Sequence, residues 1–124
     1  MAKTILDVGQ CGYDGPRMTR MLESSVGVNV DTADSIEEAI EKLAADQYDL
    51  VLVNRKLAFE GTQGVDLIRE MKDAGDETPV MLVSDRPDAQ REAESIGALH
   101  GFGKSQMTSP GTIKLIKDAL GLSS

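Results

Sequence analysis

An α/β domain built on a parallel sheet of five strands is predicted for this chain, and three observations predict it. Five short apolar runs alternate with five helix-like segments at roughly even intervals. The central runs, 50–53 and 80–83, are continuously apolar, as strands covered by helices on both faces should be. The length of 124 residues suffices for one respectable core and is too short for two. Strict alternation of strands and helices implies right-handed crossovers that place helices on both faces of the sheet. The expected organisation is a single domain over 1–124, without repeat, low-complexity segment, linker or effector region.

The elements follow in order. The first strand candidate, 3–8, carries Ile5, Leu6 and Val8 around one carboxylate, Asp7. Asp14 and Pro16 supply an N-cap and first turn for a helix running to about Ser25, with Gly27 behind it. The second strand, 28–33, alternates Val28 and Val30 with Asn29 and Asp31, which suits an edge position with one wetter face. Ser35-Ile36-Glu37-Glu38 reads as a capping box, and Ile36, Ala39, Ile40 and Leu43 make the helical stripe behind it. The third strand is 49–54. Its helix starts near Gln63 and carries Val65, Leu67, Ile68 and Met71 before Gly75. The fourth strand is 79–84, and the next helix opens at 85–87, buries Ala89, Ala93 and Ile96, and stops at Gly97. The fifth strand is 98–103. Ser109-Pro110 opens the last helix, whose Ile113, Leu115, Ile116 and Leu120 precede Gly121.

Composition narrows the function. Hydrophobic residues at 40% and charged residues at 27% describe an ordinary globular protein. Aromatics are scarce, so Val, Leu, Ile, Met and Ala must build the core. A net charge of −8 opposes approach to phosphates, and no nucleic-acid partner is expected. The single cysteine, Cys11, excludes an internal disulfide and suits a reducing compartment. No run approaches the length of a signal peptide's apolar region or a membrane span, so no membrane partner and a cytoplasmic location are expected.

In sheets of this kind, functional groups gather beyond the carboxyl ends of the strands, where strand order reverses. Gly9, Gln10, Asn54, Ser84 and Lys104 fall at those ends. With the strand spacing and Gly64, this set resembles the acid pocket of the response-regulator receiver domain over nearly the whole chain. The resemblance implies a flavodoxin-like (CheY-like) doubly wound sheet of order 2-1-3-4-5. It also implies a pocket where a carboxylate accepts phosphate from phosphohistidine, an acidic pair holds a divalent ion, and a hydroxyl and a lysine steady the phosphoryl group.

Against that pattern the acids are missing. Asn54 stands where the acceptor carboxylate belongs, and Gly9-Gln10 stand where the acidic pair belongs. A neutral amide oxygen is not the anionic nucleophile an acyl phosphate requires. Magnesium is held through carboxylates, and amide carbonyls lack the charge to displace its water. The chain is therefore expected to be a pseudo-receiver with no metal, no cofactor and no catalytic activity. Two positions that commonly hold proline carry Ala58 and Ser105, and the stretch 54–64 is longer than usual, which implies an altered loop above the pocket. The switch-aromatic position falls on Gly101, with Phe102 beside it.

Several residues admit a plainer reading. Ser84 also suits a cap for the fourth helix, a role compatible with its place in the pocket. Asp7 inside an apolar run is expected to pair with a basic residue or backbone N–H groups; a relocated functional acid is the sharper alternative. Lys104, without acidic partners, is expected to turn outward into water, or else to rest on a bound anion, an ordered water or backbone carbonyls. The turn 9–15 has neither P-loop nor dinucleotide spacing, though its amides can bind an anion. Cys11 at this helix entrance is either reactive or simply packed, and His100 has no Cys or His close in sequence to form a metal site.

The expected function is that of an atypical stand-alone receiver in two-component or phosphorelay signalling. It would act by protein contacts without accepting phosphate, and its partner would be a kinase, another regulator or a signalling assembly. The family's usual contact face places Gln90, Glu94, Gly101, Gly103, Ser105 and Gln106 as candidate contacts. Two alternatives remain. One is a small-molecule or anion sensor using Lys104, Ser84 and the 9–15 turn. The other is a small enzyme, for which no nucleophile and base can be assembled from these residues.

Overall fold

Alternation within each strand decides the architecture. In the computed structural model, which describes residues 3–10, 12–57 and 63–122, successive strand residues divide between two cores on opposite faces of one sheet. Leu6, Val8, Val51, Val53, Val80 and Leu82 face one side; Ile5, Leu50, Leu52, Met81 and Val83 face the other. A period of two in side-chain direction produces this split. Helices must cover both faces, and they do.

The strands are β1 (Thr4–Val8), β2 (Asn29–Ala33), β3 (Leu50–Asn54), β4 (Val80–Val83) and β5 (Leu99–Phe102). All pairings are parallel and the order is β2-β1-β3-β4-β5, as the sequence implied. β2 is an edge strand, which accounts for its polar alternation. Helices α2 (Ile36–Ala45), α3 (Gly64–Asp73) and α4 (Pro87–Ser95) contribute Ala39, Leu67, Ile68, Met71 and Ala93 to one core. Helices α1 (Asp14–Met21) and α5 (Pro110–Leu120) contribute Met18, Met21, Ile116 and Leu120 to the other. Strand order reverses between β1 and β3, so their carboxyl ends open a crevice.

The helix ends differ in detail from the sequence reading. Tyr13, not Asp14, is the N-cap of α1; Asp14 is the first helical residue, and its side chain goes elsewhere. The regular α-helix ends at Met21 and continues as a π-helical turn, Leu22–Val26, stopped by Gly27 at φ 80°. At α2, Ser35 Oγ accepts from Glu38 N at 3.1 Å as expected, but the Glu38 carboxylate accepts from Asp34 N at 2.7 Å and not from Ser35. Ser109 Oγ caps α5 by accepting from Thr112 N at 3.2 Å. On the β2 side, Asp31 accepts from Tyr48 Oη at 2.6 Å and from Lys42 Nζ at 3.0 Å. These two bonds hold the Asp31 carboxyl below its ordinary range.

β5 departs from a regular ladder. Met81 pairs with Leu99 but Val83 pairs with Phe102, so one extra residue of β5 is accommodated between those pairs. Such an irregularity leaves backbone groups unpaired in the ladder. Here a side chain from α4 fills the break.

Candidate functional site at the strand ends

The five residues singled out in the sequence do converge beyond the strand ends, but they do not form one connected cluster. Asn54, at the end of β3, donates from Nδ2 to the carbonyls of Gly9 (3.2 Å) and Lys56 (2.7 Å). Its amide thus ties the β1 turn to the β3 turn. Gly9 adopts φ +75°, the left-handed region, and a Cβ there would lie 2.7 Å from Leu57 Cγ. An acidic side chain has no room at that position without a backbone shift. Ser84, just past β4, accepts from Arg86 N at 3.1 Å; the N-cap of α4 is Arg86 itself, so Ser84 holds the turn before the helix and does not cap it.

Lys104 opens a short 3₁₀ turn after β5 (Lys104–Gln106), and its ammonium is paired with a carboxylate, an arrangement outside the expected ones. Its Nζ lies 2.9 Å from Asp14 Oδ2, with the side chains 31% and 16% exposed. The sequence reading overlooked this pair because it assigned Asp14 to the helix cap. A carboxylate in the first turn of α1 reaches this ammonium; Arg17, one turn along, adds a second contact to Asp14 at 3.7 Å.

Gln10 does not join Asn54. Its amide turns beneath α1 toward Asp7, which is buried to 2% exposure. Contrary to expectation, Asp7 finds no basic partner or backbone N–H: among the described residues neither of its oxygens is hydrogen-bonded, and neither is the Gln10 amide. Burial pushes the Asp7 carboxyl up to about 7, against the smaller opposing pull of the Gln10 side chain and the Lys104 charge.

The donor set at the strand ends does not fit magnesium. Gly9 offers no side chain, the Asn54 amide nitrogen is aimed at two carbonyls, and Asp14 is taken by Lys104. Among the described residues no group of three His, Cys, Asp or Glu side chains could hold an ion. His100 is exposed, and its Nδ1 lies 3.2 Å from Glu94 Oε2.

Comparison with known proteins decides the family. The model of the response regulator receiver domain matches residues 16–106. The chain belongs to the response regulator receiver domain family. Among curated proteins, the receiver is 30% identical over 69 residues to the two-component response regulator PhoP of Pseudomonas aeruginosa. That match covers 56% of this chain and 30% of PhoP, so it spans under a third of that relative's length. Among solved structures it resembles NtrX from Brucella abortus (TM-score 0.83, 24% identity, 98% of this chain and 27% of that one). It also resembles the N-terminal domain of a response regulator/sensory box/GGDEF 3-domain protein from Carboxydothermus hydrogenoformans (TM-score 0.79, 27% identity, 96% and 94% covered). A CheY-like receiver domain protein from Methanospirillum hungatei shares the fold at 19% identity (TM-score 0.78, 98% and 95% covered).

Gly101, which the sequence reading set at the switch-aromatic position, is buried, and a Cβ there would collide with the Leu82 carbonyl oxygen. The space is held by Gln90 of α4. Its Nε2 donates to the carbonyls of Leu82 (2.9 Å) and Ser84 (3.1 Å), and its Oε1 accepts from Gly101 N (3.1 Å). One amide thus satisfies both sides of the break between β4 and β5. Phe102 points into the α1/α5 core and is 6% exposed.

The expected contact face needs correction. Gln90 is buried by its backbone bonds, Gly101 lies beneath it, and Gly103 is covered by Asp85. Glu94, Ser105 and Gln106 are exposed, and so are Leu99 and His100, which sequence reasoning did not place there. Leu99 was hidden by its apolar character, which reads as core unless the edge position of β5 is known. Cys11, Ala58 and Phe59 lie outside the described residues, as does the rest of 58–62 in the middle of the expected altered loop. Lys56 and Gln63 pair across its neck as an isolated antiparallel bridge. No described helix is long and apolar enough to cross a membrane.

Proposed function

We propose that this receiver works in two-component signalling as a phosphorylation-independent interaction module. On this reading it is a pseudo-receiver that is cytoplasmic, performs no catalysis, and docks a protein partner such as a kinase, another regulator or a signalling assembly. The observation that carries the reading is Asn54. The residue at the acceptor position is a neutral amide whose nitrogen is committed to two backbone carbonyls. An amide so placed supplies no anionic nucleophile. The Gln90 tie supports the same reading, because the position from which a switch aromatic would report phosphorylation is a glycine closed over by Gln90.

The docking surface is the exposed part of α4, β5 and the turn beyond it: Glu94, Leu99, His100, Ser105 and Gln106. Acetyl phosphate with magnesium, followed by intact-mass analysis, should leave the chain unmodified; a stoichiometric phosphoryl adduct mapped to Asn54 overturns the reading. Capture from native lysate should weaken for Glu94→Arg and Gln106→Arg and survive Glu37→Arg on α2. Equal loss from all three would place the contact elsewhere.

A second reading has one observation in its favour. The cleft over the strand ends, about 310 Å³, is lined by Arg55, Lys56, Arg86 and Lys104 with Asp85 as its acid. That balance suits an anion. If the cleft is a sensor site, inorganic phosphate raises the melting temperature, as any ligand selective for the native state does. An unchanged melting temperature at millimolar phosphate removes this reading.

A further inference from the structure

A second cavity, about 490 Å³, lies between β1, β2 and one face of α1 from Gly15 to Arg20. It is separate from the strand-end cleft: Asp7 and Gln10 line it, and Asn54, Ser84 and Lys104 do not. Among the described residues, four buried polar atoms of its floor have no hydrogen-bond partner: the two oxygens of Asp7 and the amide nitrogen and oxygen of Gln10. Buried polar groups are normally paired, and each one left unpaired is costly. The residues line the cavity while these four atoms are closed to solvent, so a ligand that shifts the wall over them would complete an unpaired carboxylate and amide.

We infer that this cavity binds a small planar cation bearing paired N–H donors, an amidinium or guanidinium, with Asp7 as its anchor and Gln10 beside it. The two oxygens of a carboxylate match a fork of two parallel N–H donors, and such charge-assisted pairs are among the stronger hydrogen bonds. Gln10 adds an acceptor for a further N–H of the same ligand. Pro16 and Ala33 in the wall suit a flat apolar body attached to the cationic end. Arg20 and Asp34 also line the cavity and offset one another in charge, which leaves Asp7 to set its sign. The chain's net charge of −8 draws cations toward it.

The charged groups around Asp7 come from α1, from the end of β2 and from the turn after β5. Arg20 and Asp14 belong to α1, Asp34 follows β2, and Lys104 acts from the turn after β5 while bonded to Asp14. β3 faces Asp7 with Leu52 alone. A cation that needs the ionised carboxylate competes with the proton on it. With the carboxyl near 7, affinity rises roughly tenfold from pH 6 to pH 8.

Benzamidine is the probe, with neutral benzamide and anionic benzoate as controls, followed by NMR of the Asp7 side-chain carboxyl and by calorimetry. Benzamidine should bind, perturb the Asp7 carboxyl resonance, lower its titration midpoint and gain roughly tenfold in affinity between pH 6 and pH 8. Asp7→Asn should weaken binding at least tenfold and abolish that pH dependence, and Gln10→Ala should weaken it less. Asp7→Asn removes a buried charge, so folding is not in question, and the variant's native amide spectrum checks this. Benzamide or benzoate binding as well as benzamidine overturns the inference. So does binding that survives Asp7→Asn unchanged, or no benzamidine binding at millimolar concentration.

Discussion

Lys104 Nζ and Asp14 Oδ2 lie 2.9 Å apart, joining the turn after β5 to the first turn of α1. A carboxylate from a helix thus neutralises the lysine that follows the last strand. Exposed pairs typically contribute about 0.2–1 kcal/mol, and breaking a fully buried one costs about 3–5 kcal/mol. This pair is between those limits and nearer the first, since Lys104 is 31% exposed. Lys104→Met should therefore lower stability by about 1 kcal/mol in denaturant unfolding, and a double-mutant cycle with Asp14→Asn should assign most of that to the pair. A loss of several kcal/mol would reveal a lysine that organises the whole pocket.

Restoring the acceptor chemically should fail. Asn54→Asp sets a carboxylate oxygen against the carbonyls of Gly9 and Lys56, where the amide now donates. The lost bonds and the repulsion together should cost about 1–3 kcal/mol. Acetyl phosphate should still give no adduct by intact mass, because the turn at Gly9 offers no acid to hold an ion. Efficient labelling of Asn54→Asp would show that the remaining pocket is competent.

Asp7 makes stability depend on pH in a stated direction. Its carboxyl is raised from 3.8 in the open chain to about 7 in the fold, so between those values the native state binds the extra proton. Stability is therefore highest below about pH 4, declines up to about pH 7 and is level above it, as far as this group is concerned. The slope is at most about 1.4 kcal/mol per pH unit. Asp7→Asn should remove the decline and stabilise the chain more at pH 8 than at pH 4. Urea midpoints of both proteins at those two pH values give the answer; equal differences would show that Asp7 is solvated or paired.

The amide of Gln90 makes three bonds to buried backbone groups. Gln90→Ala leaves those groups unpaired and should cost about 2–4 kcal/mol, since each orphaned buried group costs about 1–3 kcal/mol and some will find water. The Gly101 amide should then exchange with solvent much faster than in the wild type, read by hydrogen exchange. Unchanged protection at Gly101 would mean that the ladder holds without Gln90.

What was legible in the sequence follows the range of the forces. Strands, their order and the two faces were legible because apolar runs and their interruptions are local signals, and the family pattern fixed the topology. Gly9, Asn54, Ser84 and Lys104 were placed correctly at strand ends for the same reason. The pairings were not legible. Asp14 looked like a cap because capping is a local habit of aspartate, whereas its bond to Lys104 spans most of the chain. Gln90 looked like a surface residue because a polar helix position usually is one, and only the break between β4 and β5 gives its amide something to bind. Asp7 was expected to have a partner, and the sequence could not show that β1 buries it over a cavity.

The tie between Gln90 and Gly101 also bears on time. A phosphorylated receiver keeps a record of its last stimulus for as long as an acyl phosphate survives hydrolysis. A face held by a neutral amide has no such clock. On the proposed reading its occupancy by a partner follows only how many copies of each are present, so synthesis, degradation and dilution become the signal. The cell would then read this protein as a quantity and not as a state.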